Sequence, residues 1–135
     1  MKYTDGKNIM VYAQSADGAP VGAALETVSK AAELAKANGE EVIAVVFGKD
    51  ADTKTVITAG ASKVLVAGEE GLQAEEKAQI LVKLAEKYQP KAVYMAGTPE
   101  GKMIAPAVSA VFESGCVTDV TGITADGVYT SLSYN

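Results

Sequence analysis

The sequence predicts an α/β fold: a doubly wound, mostly parallel sheet flanked by helices and followed by a C-terminal β-hairpin. Three observations carry this reading. Apolar residues recur in short unbroken blocks, as in Val42-Ile43-Ala44-Val45-Val46-Phe47, rather than alternating with polar ones; that is the pattern of strands covered on both faces. Segments of helical period separate the blocks, so strand and helix alternate four times along the chain. Finally, Asp126-Gly127 lies between two β-rich runs, residues 117–123 and 128–134, a strong hairpin signal.

Asn8-Ile9-Met10-Val11-Tyr12-Ala13 is the first buried strand. Residues 14–20 carry Ser, Asp, Gly and Pro and read as a loop. Over residues 22–38 the period changes: Leu25, Val28, Ala32 and Ala35 form a helical stripe, and Asn38-Gly39 stops the helix. The second strand, residues 42–47, is closed by Gly48. A short helix over 50–58 takes Asp50 or Asp52 as its cap, and Val64-Leu65-Val66-Ala67 is the third strand. Residues 74–89 form the clearest helix, with Leu81, Leu84, Ala85 and Tyr88 on one stripe and Pro90 as its stop. Residues 92–96 are the fourth strand. The helix after it carries Ile104, Val108, Val111 and Phe112 on one face. Pro106 is best tolerated in a first turn, which predicts a start near 102–105, and Gly115 ends this helix.

The 135 residues suit one domain spanning 1–135. The net charge of −5 disfavours nucleic acid as a partner. With no His and a single Cys, Cys116, a zinc centre or a His-based catalytic triad is not expected, and Cys116 reads as a small buried hydrophobe in a reducing, cytoplasmic setting. No run approaches the roughly 18 apolar residues that cross a bilayer. The sequence therefore predicts neither a metal site, nor membrane insertion, nor an enzyme.

The best site candidate is the turn Ala96-Gly97-Thr98-Pro99-Glu100-Gly101-Lys102. It follows a strand and opens a helix, the position at which open α/β sheets bind ligands. Gly97 and Gly101 allow a ligand close to the backbone, Thr98 offers a hydroxyl, and Lys102 a positive charge beside free N–H groups of the helix start. The plainer reading of the same turn is a strand-to-helix connection with Thr98 as helix cap. It is neither a Walker loop nor a Gly-x-Gly-x-x-Gly fingerprint. Gln14, Ser15 and Asp17 end the first strand and could face the same crevice, although a solvated loop is the plainer expectation. Asp119 reads as a cap or a partner-facing carboxylate. Glu69-Glu70 and Glu75-Glu76-Lys77 read as a solvated turn and helix start.

Several pieces together resemble the N-terminal domain of the electron transfer flavoprotein alpha subunit. They are Ile9-Met10-Val11-Tyr12-Ala13, Ala59-Gly60-Ala61-Ser62-Lys63-Val64-Leu65-Val66, Ala96-Gly97-Thr98 with Gly101-Lys102, Ile104-Ala105-Pro106, and Val117-Thr118-Asp119-Val120-Thr121. The resemblance implies a fold of the adenine-nucleotide alpha-hydrolase-like type and a heterodimer with an electron transfer flavoprotein beta subunit. It implies FAD held mainly in a second, C-terminal domain that this chain lacks, so that the chain alone holds none. It also implies electron relay from dehydrogenases through the holoprotein, in a prokaryotic cytoplasm. In that family AMP belongs to the beta subunit, and Arg usually stands where this chain has Lys102. The segment 117–134 is the expected contact with missing parts, and its terminal edge strand could join two copies of the isolated domain. The alternative is a free-standing adenine nucleotide-binding module of the universal stress protein type. Here Thr98-Pro99-Glu100-Gly101 is followed by Val108-Ser109-Ala110-Val111, without that family's second glycine motif.

Overall fold

A computed structural model of the chain describes residues 7–49, 51–69, 71–90, 92–111, 121–124 and 129–131. Its elements run β1 (Ile9–Tyr12), β2 (Ser15–Ala16), β3 (Ala19–Pro20), α1 (Gly22–Ala37), β4 (Val42–Phe47), α2 (Thr53–Ala59), β5 (Lys63–Ala67), α3 (Ala74–Tyr88), β6 (Ala92–Met95), α4 (Pro99–Val111), β7 (Thr121–Thr124) and β8 (Tyr129–Ser131). Six strands form one sheet in the order β5-β4-β1-β6-β7-β8. The pairs β4–β5, β1–β4 and β1–β6 are parallel, and β7 runs antiparallel to both β6 and β8. The predicted doubly wound, mostly parallel sheet with two antiparallel strands at its C-terminal side is therefore what the chain forms.

The unbroken apolar blocks are explained by cover on both faces. Met10, Tyr12, Val45, Phe47, Val93 and Met95 point to one side, where Leu81 and Ala85 of α3 and Ile104 and Val108 of α4 meet them. Ile9, Val11, Val42, Ala44, Val46 and Tyr94 point to the other, against Val28, Ala31 and Ala35 of α1 and Val56 of α2. The residues of β1, β4 and β6 are all buried. Filling both faces in this way removes apolar surface from water, which stabilises the fold by about 25 cal/mol per Å².

The helix boundaries follow local chemistry. Asp52 caps α2, accepting from the Thr55 N–H at 3.1 Å and from Thr55 Oγ1 at 2.6 Å. Gln73 and Glu76 close a capping box on α3, and Gln89 ends that helix in the left-handed region, just before Pro90. Asn38 and Gly39 end α1 as expected, with only Gly39 taking a positive φ, of 67°.

Three expectations are corrected. Residues 14–20 are a miniature antiparallel hairpin, β2 on β3, turned by Asp17 and Gly18 with φ of 53° and 82°; the Asp-Gly pair is the same hairpin signal read later in the chain. The stripe of α1 is rotated from the one expected: Ala24, Thr27, Val28, Ala31 and Ala35 are buried, whereas Leu25 and Ala32 are partly exposed. Thr27 can enter the core because its hydroxyl donates to the Ala23 carbonyl at 2.8 Å. Helix α4 starts at Pro99, not at 102–105, and Pro106 stands inside it. Pro99 takes the first helical position, where a missing N–H costs nothing, and Thr98 caps the helix. The expectations for Asp50, Glu70, Phe112, Gly115, Cys116, Asp119 and the Asp126-Gly127 turn lie outside the described residues.

Candidate functional site

The sheet order reverses beside β1. The chain runs β1, β4, β5 in one direction and then returns to place β6 on the other side of β1. The topological switch point, where an α/β sheet opens a crevice at its carboxyl edge, therefore lies between the ends of β1 and β6. Tyr12 and Gln14 stand on one rim, and Met95, Gly97 and Thr98 on the other.

Side chains of the protein itself cross this crevice. Thr98 Oγ1 donates to Gln14 Oε1 at 2.5 Å, and the same hydroxyl oxygen accepts from the Gly101 N–H at 3.0 Å. Thr98 is thus both the cap of α4 and a strut across the switch point. Gly101 is required by close approach rather than by φ: a Cβ at this position would lie 2.0 Å from the Ala96 carbonyl oxygen. The glycine lets the first turn of α4 sit directly on the end of β6. Lys102 is exposed, and its N–H donates to the Thr98 carbonyl at 2.9 Å. Of the four residues proposed from sequence, Thr98 and Gly101 build the turn, Gly97 lies partly buried on the rim, and Lys102 stands outside it.

Beside this strut lies a polar group that the sequence reading did not single out. Lys77 of α3 was expected on a solvated helix start, but it is 9% exposed. Its Nζ lies 2.5 Å from Glu100 Oε1 and donates to Tyr12 Oη at 3.3 Å. The Tyr12 hydroxyl in turn donates to Glu100 Oε2 at 2.9 Å. The ammonium also lies over two rings, 5.9 Å from the Tyr12 centroid and 5.6 Å from that of Phe47, and the rings meet edge to face at 5.7 Å. Burial, reinforced by the Glu100 charge and hydrogen bond, pushes the Tyr12 hydroxyl far above the ordinary tyrosine range. Burial also raises Tyr94. The signal for Lys77 was present in its spacing: it stands four residues before Leu81, on the stripe that continues to Leu84 and Tyr88.

The charged groups at this crevice therefore satisfy one another. Glu100 places a carboxylate in the first turn of α4, where the helix dipole favours negative charge. Gln14 was expected in a solvated loop but faces Thr98, and Asp17 is exposed at the hairpin turn. Ser15 Oγ is buried without a hydrogen-bond partner among the described residues. No group of three or more His, Cys, Asp or Glu side chains that could hold a metal ion occurs among the described residues. No helix among them is long and apolar enough to cross a membrane.

A self-bridged switch point in a mostly parallel sheet flanked by helices defines a doubly wound α/β domain. Comparison with known proteins then places it: residues 9–134 match the model of the electron transfer flavoprotein domain, and the chain belongs to that family. It is 28% identical over 131 residues to the electron transfer flavoprotein subunit alpha of Clostridium acetobutylicum, covering 93% of this chain and 39% of that protein. It is 29% identical over 127 residues to the corresponding subunit of Thermoanaerobacterium thermosaccharolyticum, covering 90% and 38%. The lactate dehydrogenase (NAD(+),ferredoxin) subunit LctC of Acetobacterium woodii is 29% identical over 120 residues, covering 85% and 29%. The chain thus has the character of an alpha-type N-terminal domain, and spans about two fifths of the length of the first two relatives. Among solved structures, a universal stress protein in complex with cAMP superposes with a TM-score of 0.46 at 16% identity, covering 85% of this chain and 94% of that one.

Proposed function

We propose that this chain is the partner-binding, structural domain of an electron transfer flavoprotein alpha subunit, and that it performs no redox or catalytic step with its own residues. The observation that carries the reading is the filled switch point. In a chain of this family, the position where a nucleotide would enter is bridged by Gln14 and Thr98 and lined by the paired Lys77, Glu100 and Tyr12. In this reading FAD is held by a further domain of the full-length protein, and this domain alone binds none. Its partner is an electron transfer flavoprotein beta subunit in a prokaryotic cytoplasm, and dehydrogenases reach the flavin through the assembled carrier. The similarity to alpha subunits more than twice as long supports this division of labour.

A second reading, a free-standing adenine nucleotide-binding module, rests on the position of Gly97, Thr98, Gly101 and Lys102 at the switch point. In that reading Gly97 and Lys102 meet the phosphate after the Gln14–Thr98 bond has opened.

Isothermal titration calorimetry with AMP, ATP and FAD in turn separates the two. The scaffold reading expects no heat with any of them at ligand concentrations reaching millimolar. One-to-one binding of AMP or ATP, weakened by Lys102→Ala, would overturn it. The substitution is made at Lys102 because this side chain is exposed, whereas any side chain at Gly101 collides with the end of β6. A separate arm mixes the chain with its cognate beta subunit, and co-elution at one-to-one stoichiometry is the expected result.

A further inference from the structure

The edge of the sheet formed by β5 lies at the opposite end from β8, and among the described residues no strand pairs with its outer side. Ser62 N donates to the Val42 carbonyl at 2.9 Å. In a parallel ladder alternate residues turn their backbone groups the same way. Ser62, Val64 and Val66 therefore face β4, while Lys63, Leu65 and Ala67 turn both N–H and C=O outward. Natural edge strands are commonly blunted by proline, a bulge or several charges. This one has no proline, a single charged residue, Lys63, and Val66 at 50% exposure. On the neighbouring α2, Ile57 is 52% exposed.

The segment is also nearly palindromic. Around Leu65 the order is Ser62-Lys63-Val64-Leu65-Val66-Ala67-Gly68, with valine on each side of the centre and a small residue at each end. An isologous contact needs this self-complementarity, since each residue must fit its own two-fold partner. We propose that β5 pairs antiparallel with β5 of a second copy of this chain, about a two-fold axis at Leu65, joining two sheets into one. In this register Leu65 faces Leu65 and Lys63 faces Ala67 as hydrogen-bonded pairs, using the outward backbone groups. Val64 faces Val66 twice as non-hydrogen-bonded pairs, covering the half-exposed valine. The antiparallel direction sets each Lys63 opposite the partner copy's uncharged Ala67; a parallel arrangement would instead set Lys63 beside Lys63. Because β5 and β8 are opposite edges, this contact leaves the C-terminal side of the sheet clear, so the full-length carrier would form a dimer of heterodimers.

A five-residue strand with its flanks covers well under the roughly 800 Å² per partner of a standard stable interface, so the dimer is weak. Sedimentation equilibrium of the chain from about 5 to 500 µM at 0.15 M salt is expected to show the mass rising from 13.9 kDa toward twice that value. Val66→Lys is expected to weaken association at least tenfold with an unchanged far-UV circular dichroism spectrum, because the side chain is already half in solvent. Ala67→Lys, which sets a lysine opposite the partner copy's Lys63, weakens it, and adding Lys63→Glu restores it. Register is read in a Cys116→Ser background: Val64→Cys with Val66→Cys gives a covalent dimer on oxidation, and Val66→Cys alone does not. A chain monomeric to 500 µM, or a dimer indifferent to both Val66→Lys and Ala67→Lys, overturns the proposal. Ready cross-linking through Val66→Cys alone overturns the Leu65-centred register.

Discussion

Lys77 Nζ and Glu100 Oε1, 23 residues apart in sequence, meet at 2.5 Å and tie the first turn of α3 to the first turn of α4 above the carboxyl end of β1. Neither side chain is free to leave: the Lys77 ammonium lies over two aromatic rings, and Glu100 also accepts from Tyr12. Removing one member therefore strands the other.

Lys77→Met keeps the aliphatic stem and deletes the charge. Breaking a fully buried pair from one side costs about 3–5 kcal/mol. The side chains here retain 11% and 22% exposure, so water relieves part of that, and about 2–3 kcal/mol is expected in urea denaturation. Adding Glu100→Leu together with Tyr12→Phe should recover most of the loss, because the apolar set leaves neither a stranded charge nor an unpaired buried hydroxyl. A single-variant cost below about 1 kcal/mol would show that the pair is surface-like.

Tyr12 makes the alkaline limb of stability predictable. Its folded pKa is raised, so the neutral phenol is favoured in the fold. The stabilisation is complete below about pH 10, where the unfolded chain also keeps its phenol protonated. Above pH 10 the unfolded tyrosine ionises first, and stability falls by up to about 1.4 kcal/mol per pH unit from this group. Tyr12→Phe should lower stability at pH 7 by about 1 kcal/mol through its lost hydrogen bonds and flatten this limb between pH 10 and 11. An unchanged slope would assign the alkaline limb to other groups.

Two glycines should respond in opposite directions to the same substitution. At Gly101 a methyl group meets the Ala96 carbonyl at 2.0 Å, so Gly101→Ala must displace α4 from β6, and several kcal/mol of destabilisation is expected. At Gly22, in the first turn of α1, nothing lies within 4 Å, and Gly22→Ala should stabilise by roughly 0.5–1 kcal/mol. Thermal melts of both variants check this. Equal effects would mean that chain entropy, and not the contact, decides at both sites.

Thr98→Val preserves shape but removes the cap on Gly101 N–H and the bond to Gln14, costing about 1–2 kcal/mol. Thr98→Ser keeps the hydroxyl and should stay within about 0.5 kcal/mol of the parent. Amide exchange at Gly101 should accelerate in the valine variant alone.

The strands and the major helices were legible because one physical signal, cover on both faces, writes itself as unbroken apolar runs, and β4 is the clearest case. The turn at Thr98 was legible in kind, since a threonine before Pro99 can cap a helix. The start of α4 was misplaced because two prolines compete for the same rule, and only tertiary packing decides that Pro99, not Pro106, occupies the first turn. Of the polar group at the crevice, only the place of Lys77 on the Leu81 stripe was legible, and its partners were not. Lys77, Glu100 and Tyr12 come from three elements, and a helix-start charge run looks solvated until the sheet brings a tyrosine beneath it. The hairpin at 15–20 was missed although Asp17-Gly18 announces it, because its strands are only two residues long.

The β2–β3 hairpin is hydrogen-bonded to the cap of α2 and, through Gln14, to the cap of α4. Asp52 N donates to the Gly18 carbonyl at 2.9 Å, Val21 N to the Gln14 carbonyl at 2.9 Å, and Gln14 is itself bonded to Thr98. The connections leaving β1, β4 and β6 are thereby fastened to one another around the mouth of the sheet. A rim pinned at three places does not work as a gate. It offers an arriving molecule a surface whose order is already fixed, so that association there spends little on immobilising chain, and its complementarity is decided by shape rather than by adjustment.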